Sequence, residues 1–217
     1  MAEEEEQPDV TDVLGDVADV VDIVENVVDI SSTAGGLLSK ALPNRQCSVQ
    51  IQNECSTYIL CNPRVHTDTG ICKEPLNITI KPSCSGKGLF TKSPRSMRGT
   101  GAVFSYDLYD QQQCVGKVAA LFKVPYDLNL HSIVFAIGFV DSNTECDKHL
   151  FKRMFKNEEE GFVRAKAKGS SVTSENDLLT IKATMSNSGD AVMKIEVSAE
   201  SRNLHGPVRT KAQINST

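Results

Sequence analysis

Residues 100–132 read TGAVFSYDLYDQQQCVGKVAALFKVPYDLNLHS. Two apolar runs rich in β-branched residues, 102–109 and 115–124, flank the polar connection Asp110-Gln111-Gln112-Gln113, which is how an antiparallel hairpin is written in sequence. A third run, HSIVFAIGFV at 131–140, follows after Val124-Pro125-Tyr126-Asp127-Leu128-Asn129. Pro125 cannot donate to a ladder and pushes Val124 into an extended conformation, so this connection is a loop standing out at the end of a sheet. It carries Tyr126, Leu128 and Leu130. Exposed apolar side chains on a rigid edge are what a membrane or ligand contact needs.

Outward from this hairpin the sequence keeps a period of two. Candidate strands fall at 47–52, 57–61, 76–81, 102–109, 115–124, 131–140, 162–168, 178–185 and 191–198, short and separated by Gly, Pro, Asn and Ser clusters. Such spacing predicts a sandwich or barrel. One segment interrupts it: DKHLFKRMFKN at 147–157 places Leu150, Phe151, Met154 and Phe155 on one side at helical spacing, ringed by Lys148, Lys152, Arg153 and Lys156. Asp147 suits the helix start. A basic amphipathic helix of this kind lies on a lipid surface or packs as a short crossover on the sandwich, and both hold if only part of it is buried.

The N-terminal stretch follows a different rule. Val10, Leu14, Val17, Val21, Val24 and Val28 advance by alternating steps of four and three, with Val13, Val20 and Val27 beside them, while Asp12, Asp16, Asp19, Asp22, Glu25 and Asp29 gather on another face. This predicts an amphipathic helix over 9–30, preceded by an acidic cap at 1–8. At about 1.5 Å per residue it reaches roughly 33 Å, enough to cross a hydrocarbon core of about 30 Å. It could equally dock on its own domain or pair with a copy of itself. SSTAGG at 31–36 breaks the period with small residues and reads as a hinge within a 31–44 linker. The 45–198 segment is the folded domain, and 199–217 is a polar tail expected to be loosely ordered.

Charge divides along the same line. Residues 1–30 hold 11 of the 28 acids and no Lys or Arg, which leaves 17 acids against 23 bases in the rest, a net of +6. An acidic arm on a basic body is drawn towards it, and phosphate of a nucleic acid would repel the arm. The start, MAEEEE, lacks the basic region and apolar core of a secretory signal, so a cytoplasmic form, or one released without a signal peptide, is expected. Seven cysteines with no CxxC pair read as free thiols, or as a disulfide among the first five if the protein meets an oxidising environment. No GxSxG, phosphate loop or HExxH occurs, and the four histidines (66, 131, 149, 205) lie apart, so neither an enzyme nor a cofactor or metal is expected.

TGAVFSYDLY, GKVAALFKVPYDLNLHS and MSNSGDAVMKIEVS, preceded by a hinged amphipathic helix, resemble the actinoporins, the pore-forming cytolysins of sea anemones, and especially their fish relatives. The resemblance covers about 45–198, with VPYDLN its most specific piece. It implies a mainly β fold, a β-sandwich flanked by two helices, that docks on membranes through a phosphocholine site. The N-terminal helix would then be released to line an oligomeric pore. Carried over by position, the headgroup site is Val103, Lys123, Pro125, His131, Phe151, Phe155 and Lys156, and the docking loop is Tyr126, Leu128 and Leu130. Val103 and Pro125 keep the family's residue type; Lys123 stands where the toxins have Ser, and His131, Phe151, Phe155 and Lys156 where they have Tyr. The implied partners are phosphocholine or anionic lipids and further copies of the chain, with carboxylates of the pore helix favouring cations. The other reading is a lectin-like module on a related sandwich, holding a carbohydrate or lipid headgroup without forming a pore.

Overall fold

The hairpin is the centre of a sheet. In a computed structural model that describes residues 43–156 and 161–199, β6 (Thr100–Asp110) pairs antiparallel with β7 (Gln113–Val124), from Thr100 opposite Val124 to Asp110 opposite Gln113. Gln111 turns the chain at a φ of 53°. The third run forms β8 (Val134–Val140) against β7. It starts three residues later than its apolar pattern suggests, because Asp127 caps a turn first: its Oδ1 accepts from the amide of Asn129 at 2.8 Å, and its carbonyl from that of His131 at 3.1 Å.

Before the hairpin come β1 (Gln46–Asn53), β2 (Tyr58–Thr69), β3 (Ile71–Glu74), β4 (Thr79–Ile80) and β5 (Ser85–Thr91). After it come α1 (Lys148–Lys156), β9 (Phe162–Lys166), β10 (Val172–Glu175), β11 (Leu179–Met185) and β12 (Asp190–Ala199). The strands form two six-stranded sheets, ordered β10-β11-β12-β1-β5-β3 and β4-β2-β6-β7-β8-β9. β1 and β12 lie side by side in parallel, so the first and last strands close the first sheet at its middle. Their alternating inward residues, Cys47, Val49 and Ile51 with Ala191, Met193, Ile195 and Val197, meet Phe104, Tyr106, Val118, Ala120, Phe122, Phe135 and Ile137 of the second sheet in one core. Phe90 from β5 sits at its centre, stacked on Phe104 at 6.4 Å and edge-on to Phe122 at 5.0 Å.

Three strands carry no legible alternation. β5 reads SGKGLFT, and its inward positions include Gly86 and Gly88, where an added Cβ would stand 2.5 Å from Ile80 and 2.7 Å from Leu76. Neighbouring side chains fill the space that an apolar residue of β5 would otherwise take. β3 and β10 are four-residue edge strands, too short to show a period. The expected strand at 76–81 contracts to β4, and all seven cysteines carry free thiols.

The helix forms where its pattern places it. Asp147 caps it, its carboxylate accepting from the Leu150 amide at 2.9 Å. Leu150, Phe151 and Met154 are buried on the outer face of the second sheet against Val103, Ala119, Leu121, Ala136 and Phe162. Of the two expected flanking helices this is the one within the described residues; the arm at 1–42 and the tail at 200–217 lie outside them.

Two stability measurements check this packing. Phe90→Ala is expected to cost about 3–5 kcal/mol in chemical denaturation, because two ring contacts and a buried volume go together. The cap gives a pH signature: the hydrogen bond to the Leu150 amide holds the Asp147 carboxyl below its usual 3.8. Its contribution is therefore present above that value and lost as pH falls through the lowered one. An acid titration should show this loss in the unmodified protein and not in Asp147→Asn, whose neutral side chain still caps.

Candidate functional site

At the end of the sandwich where β7 stops, three segments are locked together by Arg45. Its Nε donates to the carbonyl oxygens of Pro125 at 3.1 Å and Tyr126 at 2.7 Å, and its guanidinium lies 5.8 Å from the centre of the Tyr126 ring. The Arg45 carbonyl accepts from the Lys92 amide at 2.8 Å, tying in the β5–β6 connection. That connection crosses the base of the loop at Gly99, where a Cβ would stand 1.9 Å from the Val124 carbonyl oxygen; only glycine allows so close an approach. Held this way, the loop turns Leu128 inward against the core and leaves Leu130 75% exposed. Of the expected docking residues, Tyr126 and Leu128 are half-buried and Leu130 is exposed.

Beside the loop, on the outer face of the second sheet, the helix carries two stacked rings. Phe151 and Phe155 lie 5.9 Å apart at 10°. Phe151 is buried over Val103, and Phe155 is half-exposed. Lys123 Nζ stands 5.2 Å from the Phe155 ring centre and 5.9 Å from that of Phe151. The guanidinium of Arg164 lies 5.3 Å from the Phe155 centre. Cation–π contacts of this length contribute about 0.5–1 kcal/mol each at exposed sites and more where water is excluded. Lys123 also reaches Asp68 at 3.4 Å.

The residues singled out by resemblance therefore fall into two groups. Val103, Lys123, Phe151 and Phe155 come together, with Lys156 exposed at the helix end. Pro125 supports the loop through its carbonyl, and His131 is exposed at the far side of the turn. Two functional candidates escaped the sequence reading. Arg164 lies on β9, and counting by twos from Phe162, which packs in the cluster under the helix, puts Arg164 and Lys166 on the same outer face, a signal present in FVRAK. Arg45 offers no local signal, since its partners in the loop lie 80 and 81 residues away.

A cleft of about 870 Å³ opens at the opposite end, between Lys117, the 141–144 turn, Arg153 and Asn176. Its cations are engaged: Lys117 Nζ donates to the Thr144 carbonyl at 2.8 Å and Arg153 lies 5.6 Å from the Phe162 ring centre. Nearby, buried Asp107 accepts from Arg64 at 2.6 Å and from Asn62 at 3.1 Å, and that hydrogen bond raises the pKa of Arg64. These groups serve one another, and Lys117 holds the turn that precedes the helix. Among the described residues no cluster of His, Cys, Asp and Glu is arranged to hold a metal, and no helix is long and apolar enough to cross a membrane.

Comparison with known proteins gives a consistent picture. The sequence model of the family described as sea anemone cytotoxic protein matches residues 18–199. Bryoporin of Physcomitrium patens is 25% identical over 156 residues, which is 71% of this chain and 84% of that protein. Among solved structures, the crystal structure of the lipid binding protein Nakanori shares the fold, with a TM-score of 0.57 and 12% identity over 71% of each chain.

Arg45 is expected to set the order of the loop. Arg45→Gln removes two charge-assisted hydrogen bonds and is predicted to cost roughly 1.5–3 kcal/mol. Amide hydrogen exchange should accelerate at residues 125–131 well before it does in the core strands.

Proposed function

The chain belongs to the sea anemone cytotoxic protein family, and on that premise we propose that it docks on membranes with the loop end of its sandwich and forms an oligomeric, cation-selective pore through residues 9–30. The observation that carries the docking half is the rigid juxtaposition of an exposed Leu130 with a cationic, aromatic shelf formed by Lys123, Phe151, Phe155 and Arg164. Apolar insertion and headgroup contact would then occur at one end of one sheet. The loop is ordered before contact through Arg45, so little conformational entropy remains to be lost on binding.

The pore half rests on the sequence of the arm. Valines at helical spacing form one face and a row of carboxylates the other. Crowding of those carboxylates near lipid raises their pKa values, so acidification favours insertion, and those that stay charged line the lumen and favour cations.

Vesicle experiments separate the two halves. Removal of residues 1–36 should abolish leakage and leave vesicle binding intact; leakage that persists without them sinks the pore assignment. Leakage of the full chain should increase from neutral to endosomal pH, with reversal potentials favouring cations. Leu130→Ser should weaken binding by about 1.5–3 kcal/mol, the contribution of burying one large apolar side chain. Leu128→Ser should act chiefly on stability, because Leu128 packs against the core.

A further inference from the structure

Aromatic rings at a lipid-facing site ordinarily suit a quaternary ammonium, which is drawn to the electron-rich ring face. Here that attraction is already satisfied from within. Lys123 and Arg164 both lie within 5.3 Å of the Phe155 ring centre, and Lys123 lies within 5.9 Å of Phe151 as well. A choline group entering the shelf would meet two fixed positive charges before it met a free ring.

Among the described residues, one carboxylate, Asp68, stands against the cations of this shelf. Arg164 has no acidic partner among the described residues, and its Nε is buried without a hydrogen-bond acceptor. Its position is held by ring contact, with no carboxylate among the described residues paired to the guanidinium. Lys123 has Asp68, but at 3.4 Å with the two side chains 35% and 27% exposed, a long, solvated pair that a better anion can displace. The register adds a third cation: Val134 pairs with Lys123 on one side and with Lys166 on the other, so Lys166 stands on the same face two strand spacings from Lys123, roughly 10 Å away, and is exposed. Lys152, exposed on the helix three residues before Phe155, adds a fourth. The cluster converges beside the loop that carries Leu130, where lipid headgroups would lie.

We propose that Lys123, Arg164 and Lys166 form a binding site for the phosphate monoester of an anionic membrane lipid, and that the same cations exclude choline headgroups. This rests on the docking function above and names its ligand. A monoester phosphate carries close to two negative charges near neutral pH and three acceptor oxygens, which suits one guanidinium and two ammonium groups converging from three sides. A diester such as that of phosphatidylserine offers one charge and fewer free oxygens, and phosphatidylcholine adds a cation where the site is already positive. Phe151 and Phe155 act as the platform that spaces Lys123 and Arg164 apart.

The test compares cosedimentation of the full chain with phosphatidylcholine vesicles containing phosphatidate, with vesicles of phosphatidylserine matched for surface charge, and with phosphatidylcholine–sphingomyelin vesicles. Binding to phosphatidate is expected to exceed that to charge-matched phosphatidylserine by about tenfold, equivalent to about 1.4 kcal/mol. The choline-only vesicles should bind weakest. Arg164→Gln and Lys123→Gln should each remove the preference, and Arg164→Lys should restore part of it. Lys166→Gln, a surface change that leaves packing alone, should reduce it in a protein with an unchanged melting curve. Equal binding to the two anionic vesicles, a preference for choline lipids, or a preference that survives all three Gln variants overturns the site. Inorganic phosphate that competes as well as phosphatidate vesicles overturns its assignment to a lipid. Binding to no vesicle at all overturns the docking function, and the site with it, whereas binding without monoester preference overturns the site alone.

Discussion

Strands β6, β7 and β8 are apolar on both faces, and the structure is arranged to cover the second face as well as the first. One side meets the opposite sheet, as in any sandwich. The other presents Val103, Ala119, Leu121 and Ala136, and it is covered by α1 through Leu150, Phe151 and Met154. The start of β9 also runs close to this face: at Gly138 a Cβ would stand 2.4 Å from the Gly161 carbonyl oxygen and 2.7 Å from the Phe162 ring. Uncovered, this face would be a broad hydrophobic patch of the kind that drives association.

The position of the helix in turn builds the cationic shelf. Phe151 is committed to the covering role, and Phe155, four residues on and so on the same side, is reached by Lys123 of β7 and by Arg164 of β9. Lys123 and Arg164 reach it from strands, where pairing on both sides of β8 fixes their separation. A site carried on paired strands holds its geometry better than one carried on loops, and the loop that does take part is pinned by Arg45 and by the close crossing at Gly99.

The family relation and the residue pattern bear differently on function. Membership of a cytotoxic family sets the expectation of membrane action, but the side chains around the two phenylalanines decide which headgroup suits them. Lysine and arginine against a ring use the same physics that would attract a choline cation. In the site proposed above they satisfy it internally, and the aromatic shelf would then favour an anion.

Local pattern determined a good deal. The hairpin at 100–124, the capped helix after Asp147 and the projecting loop after Pro125 follow from period, turn chemistry and the missing proline donor, all of which act within a few residues. Tertiary structure decided the rest, because the relevant neighbours are distant in sequence. β5 is a strand although two of its three inward positions are glycine, since Ile80 and Leu76 occupy the space. Leu128 and Leu130 share a loop and a chemistry, yet one packs inward and the other faces out, because the Asp127 turn and the Arg45 clamp set the direction of each. Arg164 shares the Phe155 ring with Lys123, 41 residues away, only because β9 pairs with β8 in one register, and a slip of a single residue would have put it on the opposite face.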